Sequence, residues 1–315
     1  MSNTTLAEEE TIISIMLFLL SSNGSFKPYM YKKILLLFVI ILISGCGYIV
    51  PTPAQRFTTL KKLIDHHDVQ SEVLSAKKFD LYSVHSNLSQ CENSFVSIYI
   101  EGDGLPWITI DTISQDPTPI DPLGLKLFLQ DTNQCKVYLA RPCQYVRNSS
   151  CVQSIWTNRR FSENVIESFN QVLDEIKKRS GASSFKLFGY SGGGAIAALL
   201  AARRDDISRL VTIGGNLDTA YWTKEHYISP LSGSLNPADF SQKLKKIKQI
   251  HLVGEDDTIV GFSVLKSYCK RFEDKRNIRY KIYKKFNHHC CWKRYWKNIL
   301  SDLDKKGTNT FELCK

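Results

Sequence analysis

Phe185-Lys186-Leu187-Phe188-Gly189-Tyr190-Ser191-Gly192-Gly193-Gly194, continuing into Ala195-Ile196-Ala197-Ala198-Leu199-Leu200-Ala201-Ala202, reads as strand, sharp turn and helix. The apolar run that ends at Phe188 is short and bounded, as a strand buried on both faces should be. The run from Ala195 is made of Ala and Leu, both strong helix formers. Between them stands G-x-S-x-G with Ser191 at its centre. A serine on such a turn sits at a strained backbone position, so its neighbours two residues away must be small, and Gly189 and Gly193 meet that need. The turn would aim the Ser191 hydroxyl out of the sheet. It would also put the Gly192 N–H at a helix N-terminus, where it can stabilise a developing oxyanion. A glycine-rich loop that merely starts a helix is the plainer alternative; the strand before and the helix after favour the nucleophile.

This stretch resembles the nucleophile elbow of the α/β-hydrolase superfamily. The resemblance implies an α/β fold: a mostly parallel central sheet, helices on both faces, a short irregular cap, and catalytic partners in the order Ser, Asp, His.

Upstream, residues 79–85 and 94–100 read as strands, rich in β-branched and aromatic residues. The second runs into Glu101-Gly102-Asp103-Gly104. In the α/β-hydrolase fold the loop at this point supplies the second oxyanion N–H, which assigns that donor to Asp103 or Gly104. Asp116-Pro117-Thr118-Pro119-Ile120-Asp121-Pro122 cannot be regular structure, because each proline lacks a donor and fixes φ, and it is expected as a rigid surface loop. A helix over 123–129 and a strand over 136–140 follow, and the strand ends in Arg141-Pro142-Cys143-Gln144. Trp156, Arg159, Arg160 and Phe161 are expected either as a pocket wall or as stacked structural arginines. Residues 161–179 form an amphipathic helix, with Val165, Phe169, Val172, Leu173 and Ile176 on one face, Ser162 as N-cap and Gly181 past the end.

Beyond the elbow, strands are expected over 207–213, 249–253 and 278–286, and helices over 264–272 and 292–303. The aromatic, aperiodic stretch 219–240 is where the resemblance places a cap. The acid should follow the strand at 249–253. In Gly254-Glu255-Asp256-Asp257-Thr258-Ile259-Val260 the family-like pattern selects Asp257, with Asp256 second and Asp218, one strand earlier, third. The base should follow the last strand, where Asn287-His288-His289-Cys290-Cys291-Trp292 stands. The same pattern leaves one residue between the base and Cys-Cys-Trp, which selects His288 over His289. Adjacent cysteines pair with each other only under strain, so Cys290 and Cys291 are expected to staple this loop to other segments.

The N-terminus has the layout of a secretory signal. Met30-Tyr31-Lys32-Lys33 is basic, residues 34–43 form an unbroken apolar run too short to span a bilayer, and Ser44-Gly45-Cys46 follows. Ile43-Ser44-Gly45-Cys46 resembles a bacterial lipobox. That implies cleavage before Cys46 and lipid on its thiol, with Gly47 favouring outer-membrane delivery. The expected organisation is an upstream extension at 1–29, a lipoprotein signal peptide at 30–45, a tether at 46–70 running into a short helix, and the α/β-hydrolase domain at 71–315.

A chain of 315 residues, 43% hydrophobic and 23% charged, suits one globular domain. Its net charge of +10 could serve a nucleic acid partner, but an exported protein rarely meets one, and solubility is the plainer use. With Cys46 set aside, Cys91, Cys135, Cys143, Cys151, Cys269, Cys290, Cys291 and Cys314 form an even set, which favours disulfides in an oxidising compartment. Cys143 and Cys151 bracket a short polar loop and are the expected pair. No paired C-x-x-C sets occur, so no metal site is expected, and no cofactor is implied.

These readings converge on a cell-envelope, periplasm-facing serine hydrolase acting on a small acyl substrate. Ester or thioester bonds come first and amide bonds second, and the membrane is met through lipidated Cys46. The alternative is a non-catalytic envelope lipoprotein that uses the same fold for binding. An intact Ser, Asp and His set favours the enzyme, since binding needs none of the three.

Overall fold

The computed structural model describes residues 50–305 and 310–314. The expected upstream extension, signal peptide and lipidated Cys46 lie outside the described residues.

Nine strands form one sheet in the order β1-β2-β4-β3-β5-β6-β7-β8-β9. They are β1 (Gln70–Leu74), β2 (Leu81–His85), β3 (Phe95–Ile100), β4 (Lys136–Leu139), β5 (Ser184–Tyr190), β6 (Ile207–Ile213), β7 (Gln249–Gly254), β8 (Ile278–Tyr283) and β9 (Glu312–Leu313). The run from β4 through β8 is parallel, while β1, β2 and β9 join antiparallel at the edges. Interior strands buried on both faces need apolar residues at almost every position, which is why they stand out in the sequence. The edge strands do not. β1 is Gln-Ser-Glu-Val-Leu and half exposed, and β9 has two residues, so neither carries an apolar run.

Side-chain alternation along the strands sorts the core into two layers. Val96, Ile98, Val137, Leu139, Phe185 and Leu187 face one side. There they pack under α3 (Glu163–Ser180), α4 (Gly192–Ala201) and α7 (Phe262–Cys269). Tyr99, Tyr138, Phe188 and Val211 face the other side. They meet α1 (Pro53–Ile64), α2 (Leu123–Gln130) and α8 (Trp292–Asp304), where Tyr99 stacks on Phe188 at 4.6 Å under Trp296. This is the expected class: a mostly parallel sheet with helices on both faces. Helix α3 starts after Ser162 and ends at Gly181, whose φ of 62° is the left-handed C-terminal turn that glycine adopts without strain.

Between β6 and β7 the chain is largely irregular. It holds only the short helices α5 (Thr219–Glu225) and α6 (Ser241–Leu244) and one turn of 3₁₀ helix.

Residues 51–70, expected as a tether running into a short helix, carry α1, which starts with a capping box between Thr52 and Gln55 and buries Arg56, Leu60 and Ile64. The proline loop at 116–122 is irregular as expected, but it is not on the surface. Asp116, Pro117, Thr118 and Pro119 are buried. The reason is that its backbone polar groups find partners inside. Arg56 of α1 donates to the carbonyls of Asp116 and Thr118, Gln144 Nε2 to the Pro117 carbonyl at 3.3 Å, and Leu105 N–H to the same carbonyl at 3.0 Å.

All eight described cysteines are paired. Cys143 bonds Cys151 as expected, with Cα atoms 5.6 Å apart. Cys91 bonds Cys135, and Cys269 bonds Cys314. Cys290 and Cys291 do not staple the loop to other segments. They bond each other, and among the described residues the remaining six cysteines are matched among themselves. Among the described residues no helix is long and apolar enough to cross a membrane.

Candidate active site

Ser191 stands between the end of β5 and the start of α4, with φ 53° and ψ −121°. That is a strained conformation for a side-chain-bearing residue. It is held from both sides: the Ser191 N–H donates to the Ile213 carbonyl at 2.9 Å, and its carbonyl accepts from Gly194 and Asn216. The turn is tight enough that a Cβ on Gly189 would meet the Gly193 carbonyl, and a Cβ on Gly193 would run into the carbonyl oxygens of Ile100 and Glu101. The helix that follows leaves the Gly192 N–H in its first turn, with no intrahelical acceptor.

The parallel strands all end at the same edge of the sheet, and the loops after β7 and β8 deliver the partners there. His288 Nε2 lies 2.9 Å from Ser191 Oγ, and His288 Nδ1 lies 2.8 Å from Asp257 Oδ2. Asp257 is fully buried at the side chain, and its other oxygen accepts the N–H groups of Ile259 and Val260 at 2.9 and 2.8 Å. Those bonds fix the carboxylate so that one oxygen is committed to the imidazole. The arrangement can pass a proton from Ser191 Oγ to an imidazole whose charged form is stabilised by a buried acid.

The other candidates are placed elsewhere. Asp256 is exposed and contributes its N–H to the Phe286 carbonyl at 2.8 Å. Asp218 is buried as the N-cap of α5, accepting from Tyr221 N–H and, at 2.7 Å, from Ser267 Oγ. His289 turns away from Ser191 and places Nδ1 3.0 Å from the Tyr190 hydroxyl. Burial, with His288 adding to it, lowers the His289 pKa and favours its neutral form.

The loop after β3 lies against the elbow. Gly102 packs on Tyr190 and Ser191, and Asp103 on Gly192, whereas Gly104 (φ 73°) faces Pro117 and Gln144. The Gly102 N–H is taken by Glu101 Oε1 at 2.9 Å. Among the described residues the N–H groups of Asp103 and Gly104 have no protein acceptor.

Three features of this loop were missed from sequence. Glu101 is buried and accepts from the N–H groups of Gly102, Gly124 and Leu125 and from the Tyr138 hydroxyl, joining the loop to the start of α2. Burial raises its pKa, opposed by these hydrogen bonds. Arg141 and Arg160 converge on Asp103: Arg141 Nη1 stands 2.7 Å from Oδ1 and Arg160 Nη1 2.5 Å from Oδ2. Burial would push the Asp103 carboxyl up, but the two guanidinium groups more than offset it and hold the pKa below its ordinary value. Finally, Gln144 Nε2 donates to the Gly102 carbonyl at 3.1 Å. A charged residue directly after an apolar strand was the one available signal for Glu101; Arg160 was expected as a pocket-wall or structural arginine, but its partner Asp103, and that of Arg141, could not be read because it is distant in sequence.

No protein-family model matches the chain, and no curated protein matches it in sequence. Solved structures do match in fold. A putative lipase from Acinetobacter baumannii AYE superposes with a TM-score of 0.53 at 12% identity, over 82% of this chain and 97% of that one. An esterase from Pyrococcus furiosus matches with a TM-score of 0.53 at 11% identity, over 81% and 94%. An alpha-beta serine hydrolase homologue from Coxiella burnetii matches with a TM-score of 0.52 at 12% identity, over 76% and 97%. At these identities the likeness is one of fold, and the fold is that of the α/β hydrolases.

Proposed function

We propose that this chain, built on the α/β-hydrolase fold, is a serine hydrolase that cleaves carboxylic ester or thioester bonds through a covalent acyl-enzyme. The observation that carries the reading is the continuous line from Ser191 Oγ through His288 to Asp257, with contacts of 2.9 and 2.8 Å.

Ser191 Oγ attacks the acyl carbonyl carbon while His288 Nε2 takes its proton. The carbonyl π pair moves to oxygen, and the oxyanion is held by the Gly192 N–H and by an N–H of the loop after β3. Of Asp103 and Gly104 we favour the Asp103 N–H, because the Asp103 side chain adjoins Gly192 whereas Gly104 lies against Pro117 and Gln144. As the tetrahedral intermediate collapses, the bond to the leaving group breaks. The alkoxide or thiolate leaves with the proton from His288, and water then repeats the cycle to free the acid. Asp257 keeps the imidazole in the tautomer that presents Nε2 to serine and stabilises the imidazolium.

Placement in the cell envelope belongs to the same proposal. It is supported by the order of basic segment, apolar run and Ser44-Gly45-Cys46, and by the cysteine pairs expected of an oxidising compartment. Lipid on Cys46 would tether the domain to the outer membrane, facing the periplasm. Hydrolysis of a short-chain aryl ester, present in the wild type and abolished in Ser191→Ala, tests the catalytic reading. Equal rates in the two proteins would overturn it.

A further inference from the structure

Gly192 is not required by the backbone of the elbow; it is required by what lies beneath it. A Cβ at this position would run into Asp103 Oδ1 and stand 2.9 Å from Arg141 Nη1. The residue after the nucleophile therefore rests directly on an ion cluster. Arg141 is 95% buried and both of its Nη atoms are directed, Nη1 to Asp103 and Nη2 to the Arg160 carbonyl at 2.6 Å, with its plane over Phe161; its Nε has no partner among the described residues. Arg160, also buried, anchors Nε on the Thr157 carbonyl at 2.6 Å and gives Nη1 to the other oxygen of Asp103. Both oxygens of Asp103 are thus taken by separate guanidinium groups, which leaves one positive charge in excess.

The backbone on either side is gripped as well. The Gln144 side chain accepts the Arg141 N–H at 3.0 Å and donates to the carbonyls of Gly102 and Pro117. Arg141, Cys143 and Gln144 belong to one turn, closed by the Gln144 N–H on the Arg141 carbonyl at 3.1 Å, and the Cys143–Cys151 disulfide ties that turn to the loop that follows. The Arg141-Pro142-Cys143-Gln144 stretch therefore has a physical purpose. Its first and last residues hold the Gly102–Asp103 peptide from two sides, and its cysteine fixes the turn that carries them.

We propose that Arg141, Arg160 and Gln144 are positioning residues that fix the Asp103 N–H as the second oxyanion donor, and that the excess positive charge of the Arg141–Asp103–Arg160 set stands beside the oxyanion. The inference rests on the serine-hydrolase reading. It adds that the loop after β3, a segment rich in glycine, is preorganised by ion pairs. A preorganised donor acts on the transition state and little on the bound ester, where the oxygen is uncharged.

The test uses the intact protein, a short-chain aryl ester and an alkyl boronic acid, whose tetrahedral adduct on serine mimics the oxyanion. Asp103→Ala keeps the N–H but releases the clamp. It should lower kcat about 100-fold with KM changed less than about threefold, and weaken the boronic acid by the same factor as kcat/KM. Arg141→Met leaves the Asp103 carboxylate beside the oxyanion with one partner fewer, so it should fall further, about 1,000-fold. Adding Asp103→Asn to Arg141→Met removes that charge and should recover at least about tenfold in kcat. Circular dichroism and melting curves select folded variants, and Asp103→Ala carries the test alone if Arg141→Met does not fold. A folded Asp103→Ala protein with unchanged kcat and boronic acid affinity overturns the inference, as does a loss confined to KM. A double variant no better than Arg141→Met also overturns it. A wild-type protein that neither turns over ester nor binds the boronic acid overturns the functional reading and this inference together.

Discussion

The Tyr190 hydroxyl lies 3.0 Å from His289 Nδ1 and 3.3 Å from the His288 carbonyl, tying the residue before Ser191 to both histidines of the loop after β8. His289 is thereby committed to tyrosine, while the neighbouring His288 is left with both ring nitrogens in the line from Ser191 to Asp257.

The two histidines should separate cleanly on mutation. His288→Ala removes proton transfer from Ser191 and should lower turnover of an aryl ester by about 10⁴-fold or more. His289→Ala loosens the loop and should cost less than about tenfold. Tyr190→Phe deletes the shared hydrogen bond and should match His289→Ala. Steady-state rates on folded variants decide it. A dead His289→Ala beside an active His288→Ala would reverse the assignment.

The Cys143–Cys151 disulfide closes a short loop, with a sequence separation of 8. On the chain-entropy model its loss should destabilise the protein by about 2–3 kcal/mol. Replacing both cysteines by serine and measuring the denaturant midpoint checks the size. Non-reducing peptide mapping of the wild type checks the pairing, which two free thiols would refute.

His251 of β7 is buried between Thr212 Oγ1, 2.8 Å from its Nδ1, and Gln249 Oε1, 3.2 Å from its Nε2. Burial lowers its pKa to about 3. The unfolded chain takes up the proton near its ordinary pKa while the folded protein refuses it. The neutral ring is therefore free of penalty above that value, and stability is lost as pH falls toward the folded pKa. From pH 8 to pH 5 this one group should cost about 2 kcal/mol. His251→Gln keeps polar groups for its neighbours without a titrating ring. It should therefore show a correspondingly smaller drop in unfolding free energy between those pH values, whatever its absolute stability. Equal drops in the two proteins would remove His251 as the cause.

Lipidation is expected from Lys32-Lys33, the apolar run at 34–43 and Ser44-Gly45-Cys46. Expression in a Gram-negative host followed by mass measurement of the mature N-terminus should find it at Cys46, carrying diacylglycerol and acyl chains. An unmodified Cys46, or a start upstream of it, would contradict the assignment.

What could be read from the chain alone follows a physical division. Ser191, Asp257 and His288 were accessible because each sits just past a parallel strand, and such strands announce themselves as apolar runs ending at one edge of the sheet. The clamp on Asp103 was not. Arg141 and Asp103 are 38 residues apart and meet only because β3 and β4 lie side by side, which periodicity does not reveal. The proline loop misled in the opposite way. Its composition marks irregular backbone correctly, but its burial depends on Arg56 and Gln144, donors from two distant segments. For Cys290 and Cys291 the strain of joining neighbours argued against a pair, and the partners taken by the other six cysteines decided for it.

Every step of the proposed chemistry depends on Ser191 being a nucleophile activated by His288. The most direct measurement is reaction of the folded protein with a fluorophosphonate, followed by peptide mass mapping. One adduct is expected, on Ser191, absent in Ser191→Ala and formed far more slowly in His288→Ala. No adduct on the wild-type protein, or an adduct on another residue with Ser191 unmodified, would contradict it.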